Sequence, residues 1–284
     1  MKNKVVTIVC VILIILAVAC FGYIFLNSDD EVETPSQGEQ QEQQPQEEQE
    51  EVVGREEKGQ NIIVTSRIGV QLREVIRLSN MYSNVITDEM DQNGLSNKAK
   101  ILVGLDKIFR TQEYASYAEY SDEYSNTYIT AENMHKVIAD TFADSQVTDE
   151  GIEDTLPYDE ETNSYIVPSI GYAGGTFSYT IEVPYKITQY SDRVELLAYR
   201  VYITKTVEME STTTNIKNEL FYDKAKSLPA LTITDTSLDN EANQTNYVKT
   251  KIDDKTIDST SLESVQYTFK LVDEEYKIAE FKEI

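Results

Sequence analysis

The sequence predicts an α+β protein. A helical segment, 62–143, packs on a curved antiparallel β-sheet formed within 156–284, and a transmembrane helix and a disordered linker precede both. Three observations carry this reading. An uncharged, proline-free run from Val5 to Leu26 opens the chain. Apolar residues then recur at helical spacing as far as Phe142, and after Leu156 the apolar period falls to two. Helices first and strands afterwards is the element order of an α+β domain.

The run Val5–Leu26 is 22 residues long, and a spanning helix needs roughly 20. A cleaved signal has a core of roughly 7–15 residues, whereas Phe21 to Leu26 carry this one further. Leu16-Ala17-Val18-Ala19-Cys20 loosely resembles a lipobox with Cys20 as the lipidated residue, but Ala17 stands where Leu is usual and six apolar residues follow the cysteine. The reading is an uncleaved signal-anchor. Lys2 and Lys4 precede it and Asp29 and Asp30 follow, so residues 1–4 form a cytoplasmic tail and the remainder lies outside the cell membrane. A four-residue tail cannot signal inward by itself.

Residues 27–60 read as a disordered acidic Gln/Glu-rich linker. Positions 29–60 hold twelve acids against Arg55 and Lys58. Low hydrophobicity and high charge without periodicity describe a self-repelling spacer. The formal net charge of the whole chain is −25, which excludes nucleic acid as an expected partner because there is no basic patch to displace counterions from phosphates.

Within 62–143, Ile68, Leu72, Val75 and Ile76 mark one helix face, and Ala99, Leu102, Leu105 and Phe109 mark a second. Thr130 is placed to N-cap a third helix whose buried face is Met134, Val137, Ile138, Thr141 and Phe142. Within 156–284, Phe177, Tyr179, Ile181 and Val183 alternate up to Pro184, and Leu197, Tyr199, Val201, Ile203, Val207 and Met209 mark one face of a long strand. Val265, Tyr267, Phe269 and Leu271 lead into the turn Asp273-Glu274-Glu275, and Tyr276 and Ile278 begin the return. Alternation with one polar face predicts a sheet covered on one side.

The stretch Tyr158–Tyr165 with Pro168, the glycines 171, 174 and 175 before a strand, and Tyr267-Thr268-Phe269 closing toward Tyr276-Lys277-Ile278 resemble a class of uncharacterised membrane-anchored extracytoplasmic proteins of low-GC Gram-positive bacteria. The resemblance spans roughly residues 61–284. It implies a cell-envelope setting and carries no activity, and a distant similarity to cone-shaped NTF2-like domains goes with it.

Candidate sites are few. Both cysteines, Cys10 and Cys20, lie in the anchor, so the exterior has neither a disulfide nor a thiol nucleophile. The only histidine, His135, lies one turn from Glu132 and reads as a half-exposed surface residue. Gly171-Tyr172-Ala173-Gly174-Gly175 precedes a strand, not a helix, and reads as a hairpin or bulge. Glu89 to Gly94 echoes a calcium loop, but Lys100 stands where a bidentate Glu belongs, so a turn is expected. The acidic runs at 159–161, 253–254 and 273–275 read as solvated turns.

Tyrosine is the least ordinary feature: there are 19, with no tryptophan. Tyr114, Tyr117, Tyr120, Tyr124 and Tyr128 recur at helical spacings and on a helix would share one face. Tyrosine suits interfaces and sugar stacking, so this set is the candidate binding face, weighed against packing on the sheet. No catalytic residue, metal ligand or cofactor is assigned. The expectation is a non-catalytic, single-pass envelope protein binding another envelope protein or a cell-wall polymer. The alternatives are a cell-wall glycan hydrolase or transferase with a carboxylate pair, and a small-molecule sensor working through a membrane partner.

Overall fold

The computed structural model describes residues 58–284, apart from 122–125, 153–154, 169–174, 210–213 and 234–240. The expected tail, the anchor and nearly all of the linker lie outside the described residues, as does Tyr124. Among the described residues no helix is long and apolar enough to cross a membrane. The fold is α+β with antiparallel sheets. The order is β1 (Gln60–Ile62), α1 (Arg67–Ile76), α2 (Ser83–Asn93), α3 (Asn97–Arg110), β2 (Ala118–Ser121), β3 (Asn126–Thr130) and α4 (Ala131–Thr141). Then come β4 (Tyr158–Asp159), β5 (Ser164–Val167), β6 (Gly175–Gln189), β7 (Val194–Met209), β8 (Thr214–Phe221), β9 (Pro229–Ile233), α5 (Glu241–Asp253), β10 (Ser264–Val272) and β11 (Glu275–Glu283).

Side-chain caps start three of the helices. Ser66 Oγ accepts from Gly69 N at 3.1 Å, Ser96 Oγ from Ala99 N at 3.1 Å, and Thr130 Oγ1 from Asn133 N at 3.2 Å. Each such cap satisfies an orphan amide and is worth about 1 kcal/mol. Gly94 ends α2 with φ +62°, a left-handed value that glycine adopts without strain. The stretch echoing a calcium loop is therefore mostly the last turn of α2. Leu72 and Ile76 of α1, Ala99, Leu102 and Leu105 of α3, and Met134, Val137, Ile138 and Thr141 of α4 are buried as the helical spacing requires. Phe109 is 47% exposed, and Ile108 takes the inward position beside it.

The segment 62–143 is not all helical. A β2–β3 hairpin interrupts it, and with β5 and β4 it forms a separate four-stranded sheet. Helix α2 was not anticipated, because its buried face includes the polar Ser83 and Thr87 beside Ile86 and Met90. Helix α5 lies within the segment expected to be strand-rich. The linker also ends earlier than 60, since Gln60 already pairs with Gln189.

The main sheet runs β1-β6-β7-β10-β11, with β8 and β9 branching from β7. The fork lies at Arg200: Val194–Tyr199 pair with β10, and Tyr202–Met209 pair with β8. Contrary to the one-sided sheet expected, both faces are covered. Leu196 and Ala198 join α1–α4 in the larger core, while Val201 and Ile203 join α5, β8 and β9 in a second core. Successive side chains in a strand point to opposite faces, and β7 is apolar at both parities. On β6, Tyr179, Ile181 and Val183 face the second core, yet Ile187, at the same parity, belongs to the first. The register offset between Pro184 and Lys186 accounts for this, because one extra residue turns the strand over. The described residues belong to one compact unit.

Candidate functional site

The five tyrosines do not form one face. Tyr114 and Tyr117 lie in a 3-10 turn, Gln112–Tyr117, with ring centroids 5.5 Å apart, and both pack against the larger core. Tyr114 Oη donates to Asp140 at 3.0 Å. Tyr120 is on β2, opposite Thr127, and is 63% exposed; Tyr128 is on β3, opposite Glu119. The helical stripe is thus corrected to two packed residues and two on a small hairpin, with Tyr124 outside the described residues.

His135 is half-exposed, and Nε2 lies 2.9 Å from Asp149 Oδ1. Asp149 also accepts from Tyr165 Oη at 2.6 Å. Glu132 does not pair with the histidine but with Lys136 at 2.7 Å. The acidic runs lie at the ends of elements and in the turns beside them: Asp159, the last residue of β4, accepts from Glu161 N and Thr162 Oγ1, Asp253 ends α5, and Asp273 and Glu274 both have positive φ, as a two-residue type I′ hairpin requires. Among the described residues no group of three or more His, Cys, Asp or Glu side chains could hold a metal ion. The stretch 171–174 lies outside them, and Gly175 begins β6.

A cleft that the sequence reading did not single out lies along β6. Strand β1 covers only Ile187–Gln189 of that edge. Further along, the outward amide of Thr180 is taken by Ser83 Oγ at 3.0 Å, and Thr180 Oγ1 donates to Asn84 Oδ1 at 3.0 Å. Between these points the edge holds Pro184, which has no N–H to offer and suits an edge position. Helix α1 reaches this edge from the side of the larger core and α5 from the other. The turn that follows α1 meets α5 where Asn80 Nδ2 donates to Gln244 Oε1 at 3.1 Å. The enclosed space is about 220 Å³. Its apolar floor is Ile76, Leu78, Ile181 and Pro184, and its charged residues are Arg73, Glu74, Arg77 and Glu182.

Three of those four charges have partners. Glu74 lies 3.4 Å from Arg77 and 3.8 Å from Arg110. Glu182 accepts from Arg200 Nε at 2.9 Å and from Tyr267 Oη at 2.7 Å. Arg73 differs: its Nε is shut off from solvent and has no hydrogen-bond partner among the described residues. Arg73 lies in the last turn of α1, where a cation favours the helix dipole, but that term does not satisfy Nε.

Behind Glu182 is a buried polar cluster. Arg200 is fully buried on the helix-facing side of β7. It donates to Glu182 and Asp91, lies 3.7 Å from Glu283 and stands over the Phe281 ring. Lys224, in the turn after β8, reaches Asp91 at 2.9 Å and Asp88 at 2.8 Å. Burial alone would lower the Arg200 pKa, but Glu182, Tyr267 and Asp91 hold it above the usual arginine value. Burial would raise Asp91, and the bonds and charges of Arg200 and Lys224 outweigh it, holding that carboxyl below the usual aspartate range. Burial, then the adjacent Glu182 charge, pushes the Tyr267 hydroxyl far up.

The cleft's far end is fixed by Asp106. Its carboxylate accepts from Ser79 N at 2.9 Å and also from Ser79 Oγ, pinning the turn that carries Leu78 and Asn80. Burial pushes the Asp106 carboxyl up, against the opposing pull of Ser79 and Arg110. The signals for this region were present in the sequence: a proline inside an alternating run, and an arginine at an inward parity between Ala198 and Tyr202. Compared with known families, curated proteins and solved structures, the chain matches none.

Proposed function

We propose that this is a non-catalytic binding protein of a bacterial cell envelope. Residues 5–26 anchor it, the acidic segment 27–60 spaces it from the membrane, and its ligand occupies the α1–β6 cleft. The setting rests on the apolar run, the charge asymmetry around it and the resemblance to membrane-anchored extracytoplasmic proteins. The observation that carries binding is Arg73: a cation with no ion-pair partner among the described residues, beside an apolar floor, in a concave site.

The carboxylate-pair enzyme is the weaker reading. The two acids of the cleft, Glu74 and Glu182, are each held by arginines. Paired in this way, neither is free to serve as the general acid or the water-activating base.

The test uses the full chain in lipid nanodiscs. The protein has no tryptophan, so Asn246→Trp, at the exposed rim of the cleft, gives a single emission reporter. Saturable emission changes with wall fragments, sugars, peptides or small metabolites are expected. A panel that leaves emission unmoved removes the cleft as a binding site, and turnover of any bound ligand removes the non-catalytic reading. Shaving of residues 61–284 from intact cells by added protease is the expected topology result, and protection of that segment overturns it.

A further inference from the structure

We infer that the cleft ligand is a small amphipathic monocarboxylate, its carboxylate on Arg73 and its apolar body on Ile76, Leu78, Ile181 and Pro184. This rests on the reading of the cleft as a binding site and adds the class of molecule.

Charge is the first argument. The cleft's formal charges cancel, with Arg73 and Arg77 against Glu74 and Glu182. Arg77 and the two acids already have ionic partners, so Arg73 is the cation left over. In a chain of net charge −25, an uncompensated guanidinium in a concavity sets up local attraction for one negative charge. A dianion such as a phosphate monoester would carry its second charge toward Glu74 and Glu182 without a second free cation.

Geometry is the second. Nε is shut off from solvent, so a ligand in the cleft meets the guanidinium at its two Nη groups. Two parallel N–H donors match the two oxygens of a planar carboxylate. A neutral amide offers one acceptor oxygen and would present its own N–H groups to the second donor.

Size is the third. At about 220 Å³, the cleft falls below the range of roughly 300–1,000 Å³ in which drug-sized ligands are buried. The β6 edge also resists a longer occupant. Thr180 N–H is already bonded, and Pro184 has no N–H, so an added peptide strand finds few ladder partners.

The experiment titrates the full chain carrying Asn246→Trp, in nanodiscs, with hexanoate and phenylacetate, with hexanamide and phenylacetamide, and with phenyl phosphate. At least ten-fold tighter binding of each acid over its amide is expected, with phenyl phosphate weaker than phenylacetate. Arg73→Gln removes the acid preference while leaving the melting temperature within a few degrees. Arg73→Lys, which keeps the charge but not the paired donors, retains part of it. Amides binding as well as acids, or an acid preference that survives Arg73→Gln, overturns the carboxylate assignment and leaves the cleft reading standing. Saturable binding of wall fragments or sugars with none of these acids has the same effect. No saturable signal from any compound, wall fragments and sugars included, brings down both.

Discussion

Glu182 and Arg200 face each other directly across β6 and β7, joined by a 2.9 Å bond from Arg200 Nε to Glu182 Oε1. The pair sits at the point where β7 passes from its β10 partner to its β8 partner. Glu182 also lines the cleft, so the cluster that closes the fork forms the back of that cleft.

Arg200→Met is expected to cost about 3–5 kcal/mol, because Glu182 would remain buried without its cation and Asp91 would keep only Lys224. Arg200→Lys recovers only part of this, since one ammonium cannot reproduce the planar fork. Adding Glu182→Gln to Arg200→Met recovers stability, because it removes an uncompensated buried charge. Urea midpoints of the three variants check the order. A loss below 1 kcal/mol for Arg200→Met contradicts it.

The pH dependence follows from Asp91. Its folded pKa lies below the usual 3.8, held there by Arg200 and Lys224 against the opposing effect of burial. Its contribution is therefore complete above the unfolded value and is lost as pH falls through the folded one. Stability should decline on acidification below about pH 4. Asp91→Asn should be less stable at pH 7 and show a flatter decline in that window. Thermal melts between pH 2 and pH 7 test this, and parallel curves for the two proteins refute it.

Asp106 supplies a prediction that links stability to the site. Asp106→Ala leaves Ser79 N–H without its acceptor at a cost of about 1–3 kcal/mol, and it frees the turn carrying Leu78 and Asn80. Binding of phenylacetate should weaken by more than the change from Asp106→Asn, which keeps an acceptor oxygen. Equal affinities in the two variants would separate the turn from the cleft.

The tyrosines divide by environment. Tyr117 packs against the larger core, so Tyr117→Ala is expected to destabilise by about 1–3 kcal/mol. Tyr120 is 63% exposed, and Tyr120→Ala should stay within about 0.5 kcal/mol of the parent. A large loss at Tyr120 would point to burial against a partner surface.

Much of the fold was legible because local rules and packing agree. Thr130 caps α4, and its spaced apolar face is buried as read. The tyrosine spacing misled for a definite reason: steps of four are compatible with both helical and alternating periods, and here the pairing of β2 with β3 and of β3 with β5 places Tyr120 and Tyr128 on strands. Helix α5, where Gln244 and Val248 are buried, carries little periodic signal of its own, and β6, β8 and β9 supply the surface that holds it. Arg73 was invisible as a site because an arginine in the last turn of a helix is ordinary. Only the three-dimensional arrangement shows that both acids beside it are bound to other cations.

The one-residue offset after Pro184 has a thermodynamic consequence. Because β6 turns over there, β6 and β7 close both cores. Loss of either covering layer would bare the back of the strands that support the other. The helical layer and α5 are therefore expected to unfold in a single cooperative step rather than as separate foldons, with hydrogen exchange slowest in the β6–β7 ladder.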